Sequence, residues 1–366
     1  MKQKSIFESR VKKLKEELDD EGLRGVMIVP GPNMRYFTGV NSHLLERPFL
    51  LLVPTGGEPH LVAPAIEAGP YRECSLALKI HPWTDSDGSG GAIGDAVEAV
   101  GMKGRWGVEG KVPFLFLSKV LKKASPKLRD AEPILQGLRE VKDLAEVELL
   151  RKSGEILSRS FAEFPGLIRE GMTEMELAKA ATDTIYAKGA TKVDDMLVQS
   201  GPKAADPHGL PTAKKIGRGE SIIIDVGSVY EGYYADITRT FCIGSSPEVE
   251  RVYERVLEAE TAGIGRASVG ARVGEVDRAA RSVLERAGMG KYFIHRTGHG
   301  LGLEVHEAPY IAEGGKEKLA PNMCFTVEPG VYIRGKLGVR IEDDVLMVGR
   351  KGVAITDAPK SYGWWK

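Results

Sequence analysis

Two stretches of this 366-residue chain place acidic residues where an apolar strand would run uninterrupted. Ser221-Ile-Ile-Ile-Asp-Val-Gly227 reads as a buried strand, yet it carries Asp225. Tyr234-Ala-Asp-Ile-Thr-Arg-Thr240 follows, with Asp236 eleven residues after Asp225. A turn at Glu231-Gly232 folds the two runs into a hairpin, and the aspartates then face each other across it, near enough for both carboxylates to reach one object. Phe325-Thr-Val-Glu-Pro-Gly330 and Gly338-Val-Arg-Ile-Glu-Asp-Asp344 repeat the arrangement. Here Glu328 and Glu342 stand fourteen residues apart about a turn at Arg334-Gly-Lys336. A carboxylate in an apolar sheet is costly unless a cation compensates it. A lone aspartate is most simply a cap or turn former. That account is weak for a residue flanked by Ile222-Ile-Ile224 and Val226.

Between the two hairpins lies His295-Arg-Thr-Gly-His-Gly-Leu-Gly302. Glycines on both sides of His299 let the backbone come close and leave the imidazole uncrowded. The chain has seven histidines, and His208, His295, His299 and His306 fall within about one hundred residues of one another. His208 belongs to an irregular run, Ser200 to Gly209, that reads as a loop; functional groups often occupy loops held by a rigid sheet. Asp225, Asp236, His299, Glu328 and Glu342 together are a suitable ligand set for two divalent ions sharing bridging carboxylates.

Composition narrows the partners. Lys+Arg and Asp+Glu both number 51, a formal net charge of zero. Nucleic acid and anionic membranes both favour a basic excess, so neither is expected. The first twenty residues are charged and lack an apolar signal core. The three cysteines form no CxxC pair, which points to a reducing compartment and a cytoplasmic location.

The texture of the chain predicts two domains. Residues 1–132 alternate helix and strand, starting with an amphipathic helix from Ser5 to Glu21 and a buried strand from Gly25 to Pro30. Residues 133–142 read as a linker. Residues 143–366 read as a larger α+β domain. Its helices are announced by capping boxes at Asp143/Glu146 and Thr173/Glu176, by Ser246-Pro247, and by a run from Gly274 to Ala287. Two strands are expected at Cys324 to Pro329 and Gly338 to Val348.

Asp225 with its eleven-residue step to Asp236, then Gly298-His-Gly-Leu-Gly302, Glu328-Pro-Gly330 and Val339-Arg-Ile-Glu-Asp343, resemble the prolidase and aminopeptidase P branch of the pita-bread metallopeptidases. The match spans residues of about 140 to 350. Gly31-Pro-Asn-Met-Arg-Tyr-Phe-Thr-Gly39 is similar to that branch's amino-terminal domain. The resemblance implies an α+β fold with a C-terminal pita-bread domain behind a smaller α/β domain. It implies a small peptide substrate, two divalent ions, with manganese first and cobalt or zinc as alternatives, and a homodimer. Asp225 would hold one ion, Asp236 and Glu342 would bridge, and His299 and Glu328 would complete the second. Glu328 would also carry a proton to the departing proline nitrogen, and His306 would stabilise the oxyanion. His208 and His295 would shape the proline pocket and help hold the substrate. Arg340 would pair with ligand carboxylates.

One position departs from the pattern. Prolidases of this type often carry His-Glu-x-Pro-Arg, whose arginine binds the free carboxylate of a dipeptide. Here the run is His306-Glu-Ala-Pro-Tyr310. Either another cation takes that carboxylate, with Arg47 in the amino-terminal domain the candidate, or the substrate is longer. The expected activity is hydrolysis of Xaa-Pro dipeptides, with Xaa-Pro aminopeptidase on longer peptides as the alternative. A pita-bread binding protein without catalysis is the reading from another class. Such relatives usually show eroded ligands, whereas this chain keeps all five.

Overall fold

A computed structural model describes residues 2–365. The chain divides by its contacts into two compact units, Met1–Arg139 and Glu140–Lys366. The first unit runs α1 (Lys2–Asp20), β1 (Gly25–Ile28), α2 (Pro32–Thr38), β2 (Leu50–Pro54), β3 (His60–Pro64), α3 (Gly69–Glu73), β4 (Lys79–Trp83), α4 (Gly90–Ala99), β5 (Arg105–Val108), α5 (Phe114–Leu121), β6 (Lys127–Asp130) and α6 (Glu132–Glu140). A six-stranded sheet in the order β4-β3-β2-β1-β5-β6 forms its centre. Leu50 to Leu52 pair antiparallel with His60 to Val62, which makes β2 and β3 a hairpin.

The expected linker at 133–142 is a correction, because most of it is α6. Pro133 and Gly137 look like punctuation, but proline is tolerated in the first helical turn. Leu135 and Arg139 give the segment a buried face. Arg139 Nη1 donates to Asn33 Oδ1 at 2.8 Å, which ties the helix to the first unit.

The second unit runs α7 (Leu144–Phe161), α8 (Glu174–Ala187), β7 (Lys192–Ser200), β8 (Ser221–Tyr230), β9 (Tyr233–Cys242), α9 (Pro247–Arg266), α10 (Val273–Arg286), β10 (Gly298–Gly300), β11 (Glu307–Ile311), β12 (Cys324–Val327), β13 (Gly330–Ile333), β14 (Leu337–Arg340), β15 (Asp343–Val348) and β16 (Lys351–Ala354). Both expected capping boxes form. Asp143 Oδ1 accepts from the backbones of Ala145 and Glu146, and Thr173 and Glu176 reciprocate in the same way. No helix among the described residues is long and apolar enough to cross a membrane.

Strand periodicity decides which residues face the site. Successive side chains alternate between the faces of a sheet. Ile222, Ile224 and Val226 of β8, with Ala235, Ile237 and Phe241 of β9, pack in one core with Leu157, Phe161, Leu177 and Ile185 of α7 and α8. Full burial of one such side chain stabilises by about 1.5–3 kcal/mol. Asp225, Asp236 and Thr238 fall on the opposite face by the same alternation. The β8–β9 turn is at Glu231-Gly232, where φ is 47° and 85°, the positive pair that a two-residue type I′ turn requires.

The structure revises the two acidic hairpins in detail. Asp225 pairs with Thr238, and Asp236 pairs with Gly227. The aspartates are therefore diagonal same-face neighbours instead of direct partners, a geometry that long side chains still span. The expected strand from Gly338 to Val348 is two strands, β14 and β15. Val327 pairs with Asp343, and Gly330 pairs with Arg340, so both ladders keep one register with Glu328 across from Glu342. The ladder breaks at this point because the Glu342 backbone turns to β9, where its N–H donates to the Thr238 carbonyl at 3.1 Å. That backbone bridge is one of the links that join the two acidic hairpins.

Candidate active site

All five candidate ligands line one cavity of about 470 Å³ in the second unit, together with His208, His295, His306 and Arg340. Asp236, His299 and Glu342 are buried, and each offers a donor atom within 4.8 Å of the others. His299 Nε2 lies 3.4 Å from Glu328 Oε1. Asp225 accepts from Arg340 Nη2. The glycines around His299 are needed for close approach: a Cβ on Gly298 would collide with the Thr326 carbonyl, and one on Gly300 with the Ala308 carbonyl. A register shift between His299 and Gly300 interrupts the β10–β11 ladder beside the imidazole.

The electrostatics of this cluster are those of a cation site. Burial, then the charges of Asp225 and Asp344, push the Asp236 carboxyl well above its ordinary range. Burial and the neighbouring Asp236 charge do the same to Glu342. Burial raises Glu328 to about 7, against the pull of Arg340. Asp236 Oδ1 is buried with no hydrogen-bond partner among the described residues. Such a group is expensive unless something positive meets it. Burial holds His299 down to about 3, so its ring is neutral. Its Nδ1 is 3.1 Å from the Gly300 carbonyl, which makes Nδ1 the protonated nitrogen and leaves the Nε2 lone pair facing the carboxylates. A neutral histidine whose other nitrogen is held by a carbonyl is the usual form of a metal ligand. Oxygen donors with one imidazole suit hard or borderline divalent cations. The residues present therefore fit the metal pair implied by the sequence.

Side chains that sequence reasoning passed over hold the candidate ligands in place. Thr238 Oγ1 donates to Glu342 Oε2 at 2.6 Å and accepts from Arg340 Nε at 3.2 Å. Thr326 Oγ1 donates to Glu328 Oε1 at 3.3 Å and accepts from the His299 N–H at 3.1 Å. Asp344 Oδ2 accepts from the Asp236 N–H at 2.9 Å. Threonine is an ordinary strand former; the available signal was that Thr238 lies two residues from Asp236 on the same face. Arg340 is buried, pairs with Asp225, and also donates to Tyr332 Oη at 2.7 Å.

His295 is differently placed from the substrate-holding role expected of it. Tyr332 Oη, which accepts from Arg340, is 2.9 Å from His295 Nε2 and so donates to it. His295 Nδ1 is 2.7 Å from the Arg296 carbonyl and donates there. Both ring nitrogens are committed, which leaves the ring face to shape the cavity. Burial lowers its pKa to about 4, consistent with this neutral tautomer. His306 stands free at the cavity, its ring 4.1 Å from that of His299 and edge-on to it. Burial, then Arg296, lowers its pKa. His208 is exposed in the loop after the turn Gly201–Ala205, at the cavity wall. Tyr310 is on β11 as the strand partner of His299. Arg47 lies in the first unit, where Asp85 engages it through two hydrogen bonds of 3.0 and 2.9 Å.

Comparison with known proteins agrees with this geometry. Residues 148–348 match the model of metallopeptidase family M24, and residues 10–141 match the creatinase/prolidase N-terminal domain. The chain is 32% identical to the Xaa-Pro dipeptidase of Pyrococcus horikoshii over 93% of its own length and 95% of that protein's. A recombinant prolidase from Thermococcus sibiricus superposes with a TM-score of 0.92 at 36% identity, covering 97% of this chain and 98% of that one. Dipeptidase PepE from Mycobacterium ulcerans gives a TM-score of 0.91 at 33% identity over 98% of both chains. With its buried carboxylates and imidazole on a pita-bread scaffold behind a creatinase/prolidase-type domain, this chain belongs to metallopeptidase family M24.

Proposed function

We propose that the protein hydrolyses the Xaa–Pro bond of dipeptides ending in proline. The observation that carries this is the convergence of Asp225, Asp236, His299, Glu328 and Glu342 on one cavity, with the unengaged His306 beside them. Asp225, Asp236 and Glu342 would hold one side of a metal pair, and His299 and Glu328 the other. When bound, the ions supply Lewis-acid polarisation of the scissile carbonyl and a lowered pKa for water. Manganese is the metal we favour for this oxygen-rich set, with cobalt or zinc as substitutes.

The chain's own residues do the remaining work. Glu328 takes the proton of the attacking water and returns it to the proline nitrogen, which has no hydrogen of its own and must gain one to leave as an amine. His306 donates to the oxygen that becomes negative in the tetrahedral intermediate. The His295 ring and His208 shape the space for the proline. Arg340 and Thr238 keep Asp225 and Glu342 aimed inward. Cys74, Cys242 and Cys324 are free thiols, which fits a cytoplasmic site of action. A homodimer, readable by light scattering, completes the proposal.

Tyr310 supports a second reading, release of the N-terminal residue from longer Xaa-Pro peptides, because the arginine that binds a dipeptide carboxylate in similar prolidases is missing there. Turnover of Xaa-Pro dipeptides against Xaa-Pro-Yaa tripeptides, with defined metals, separates the two. Higher kcat/KM for dipeptides supports the dipeptidase. Preference for tripeptides favours the aminopeptidase, and no turnover of either sinks both.

A further inference from the structure

We infer that Arg296 is the anchor for the free carboxylate of the substrate and that Tyr310 is the residue that positions it. This rests on the Xaa-Pro reading and supplies what that reading lacks, a cation at the carboxyl end. The only lysine or arginine side chains lining the cavity among the described residues are Arg296 and Arg340. Arg340 is spent: it bonds Asp225, Thr238 and Tyr332 and is buried. The Arg296 guanidinium makes no hydrogen bond or ion pair among the described residues, and its carbon sits 4.5 Å from the centre of the Tyr310 ring.

An arginine left without a carboxylate partner beside four acidic ligands is unusual, because guanidinium readily forms forked pairs with carboxylates. Here the guanidinium carbon lies over the Tyr310 ring, a contact that uses none of its N–H groups and leaves them for an incoming anion. The ring also limits the rotamers of Arg296, so less freedom is lost when the anion binds. Tyr310 pairs with His299 across the β10–β11 ladder, and Arg296 lies just ahead of β10. From the segment just ahead of β10, the cation thus reaches Tyr310, the residue that stands where similar prolidases carry their arginine. Arg47 is a poorer candidate because Asp85 already occupies its fork.

The test compares Xaa-Pro with the Xaa-Pro amide, which lacks the anionic carboxylate. Wild type should prefer the free acid. Arg296→Ala should lower kcat/KM for the acid by about 10- to 100-fold, the range for a hydrogen bond to a charged group. The loss should be mainly in KM, with the amide changed less than about threefold by the same reasoning. Arg296→Lys should retain part of the preference, and Tyr310→Ala should fall between wild type and Arg296→Ala. Equal loss on both substrates, or no loss on either, overturns the inference. Failure of the Xaa-Pro reading is visible separately, as no turnover of either substrate by wild type. In that event calorimetric binding of proline against prolinamide still decides. A preference for proline that Arg296→Ala abolishes supports the anchor, and its absence in wild type rules the anchor out.

Discussion

Glu328→Gln should stabilise the metal-free protein, and by more at pH 8 than at pH 5. Burial raises the Glu328 carboxyl from 4.5 to about 7. Below 4.5 the group is protonated in both folded and unfolded chains, so it contributes no difference. Between 4.5 and about 7 the unfolded chain gives up the proton and the folded chain keeps it. Stability therefore falls as pH rises through this window and is level above it. At about 1.4 kcal/mol per unit, the fall is about 3 kcal/mol. Glutamine has no proton to lose and escapes it. Histidines such as His299, whose pKa burial lowers, titrate in the opposite sense, so the comparison must be between variants at each pH. Hydrogen exchange of peptides from Cys324–Val327 and Leu337–Arg340, in chelated samples, reports the local stability. The gap between variant and wild type should widen by about 3 kcal/mol from pH 5 to pH 8. With metal restored the sign should reverse, because the variant has lost a ligand. A gap independent of pH, or glutamine destabilising the chelated protein more at pH 8, refutes the reasoning.

Other outcomes follow from the same geometry. Asp236→Asn should abolish Xaa-Pro hydrolysis while circular dichroism stays unchanged; near-normal turnover would show the ligand assignment to be wrong. Thr238→Val keeps the strand but removes the bond that aims Glu342, and should weaken metal affinity about 10- to 100-fold in a competitive chelator titration. Tyr332→Phe should free His295 Nε2, visible as an upward shift of the His295 titration by NMR; an unmoved titration would contradict the Arg340–Tyr332–His295 chain. Arg47→Ala should leave the dipeptide-to-tripeptide ratio of kcat/KM unchanged, and loss of its exposed pair with Asp85 should leave the melting temperature nearly unmoved.

Much of the site was legible because burying acid is expensive. Asp225 among isoleucines and Glu328 after Thr326-Val327 break the apolar pattern, and few structural uses of carboxylate explain such breaks. The hairpin turn at Glu231-Gly232 was readable for a similar reason, since it needs residues that accept positive φ. What the sequence withheld were features set by register. Nothing local shows that Asp236 pairs with Gly227 instead of Asp225, or that the ladder opens at Glu342 so that its backbone can bridge to Thr238. Thr238 and Thr326 were hidden because threonine needs no special reason to be in a strand. The segment 133–142 was misread because Pro133 and Gly137 obscured a short helix anchored by Leu135 and Arg139. Arg296 was in view within His295-Arg-Thr-Gly-His299, but its open guanidinium and its place over Tyr310 exist only in three dimensions.

The claim that these five side chains hold a working metal pair is tested most directly by titrating the chelated protein with manganese while following hydrolysis of an Xaa-Pro dipeptide. Activity should climb from none to a plateau at about two ions per chain, the stoichiometry of a paired site, and Asp236→Asn should bind fewer ions and stay inactive. Full activity without added metal after exhaustive chelation, or a plateau that Asp236→Asn reaches unchanged, would contradict the account.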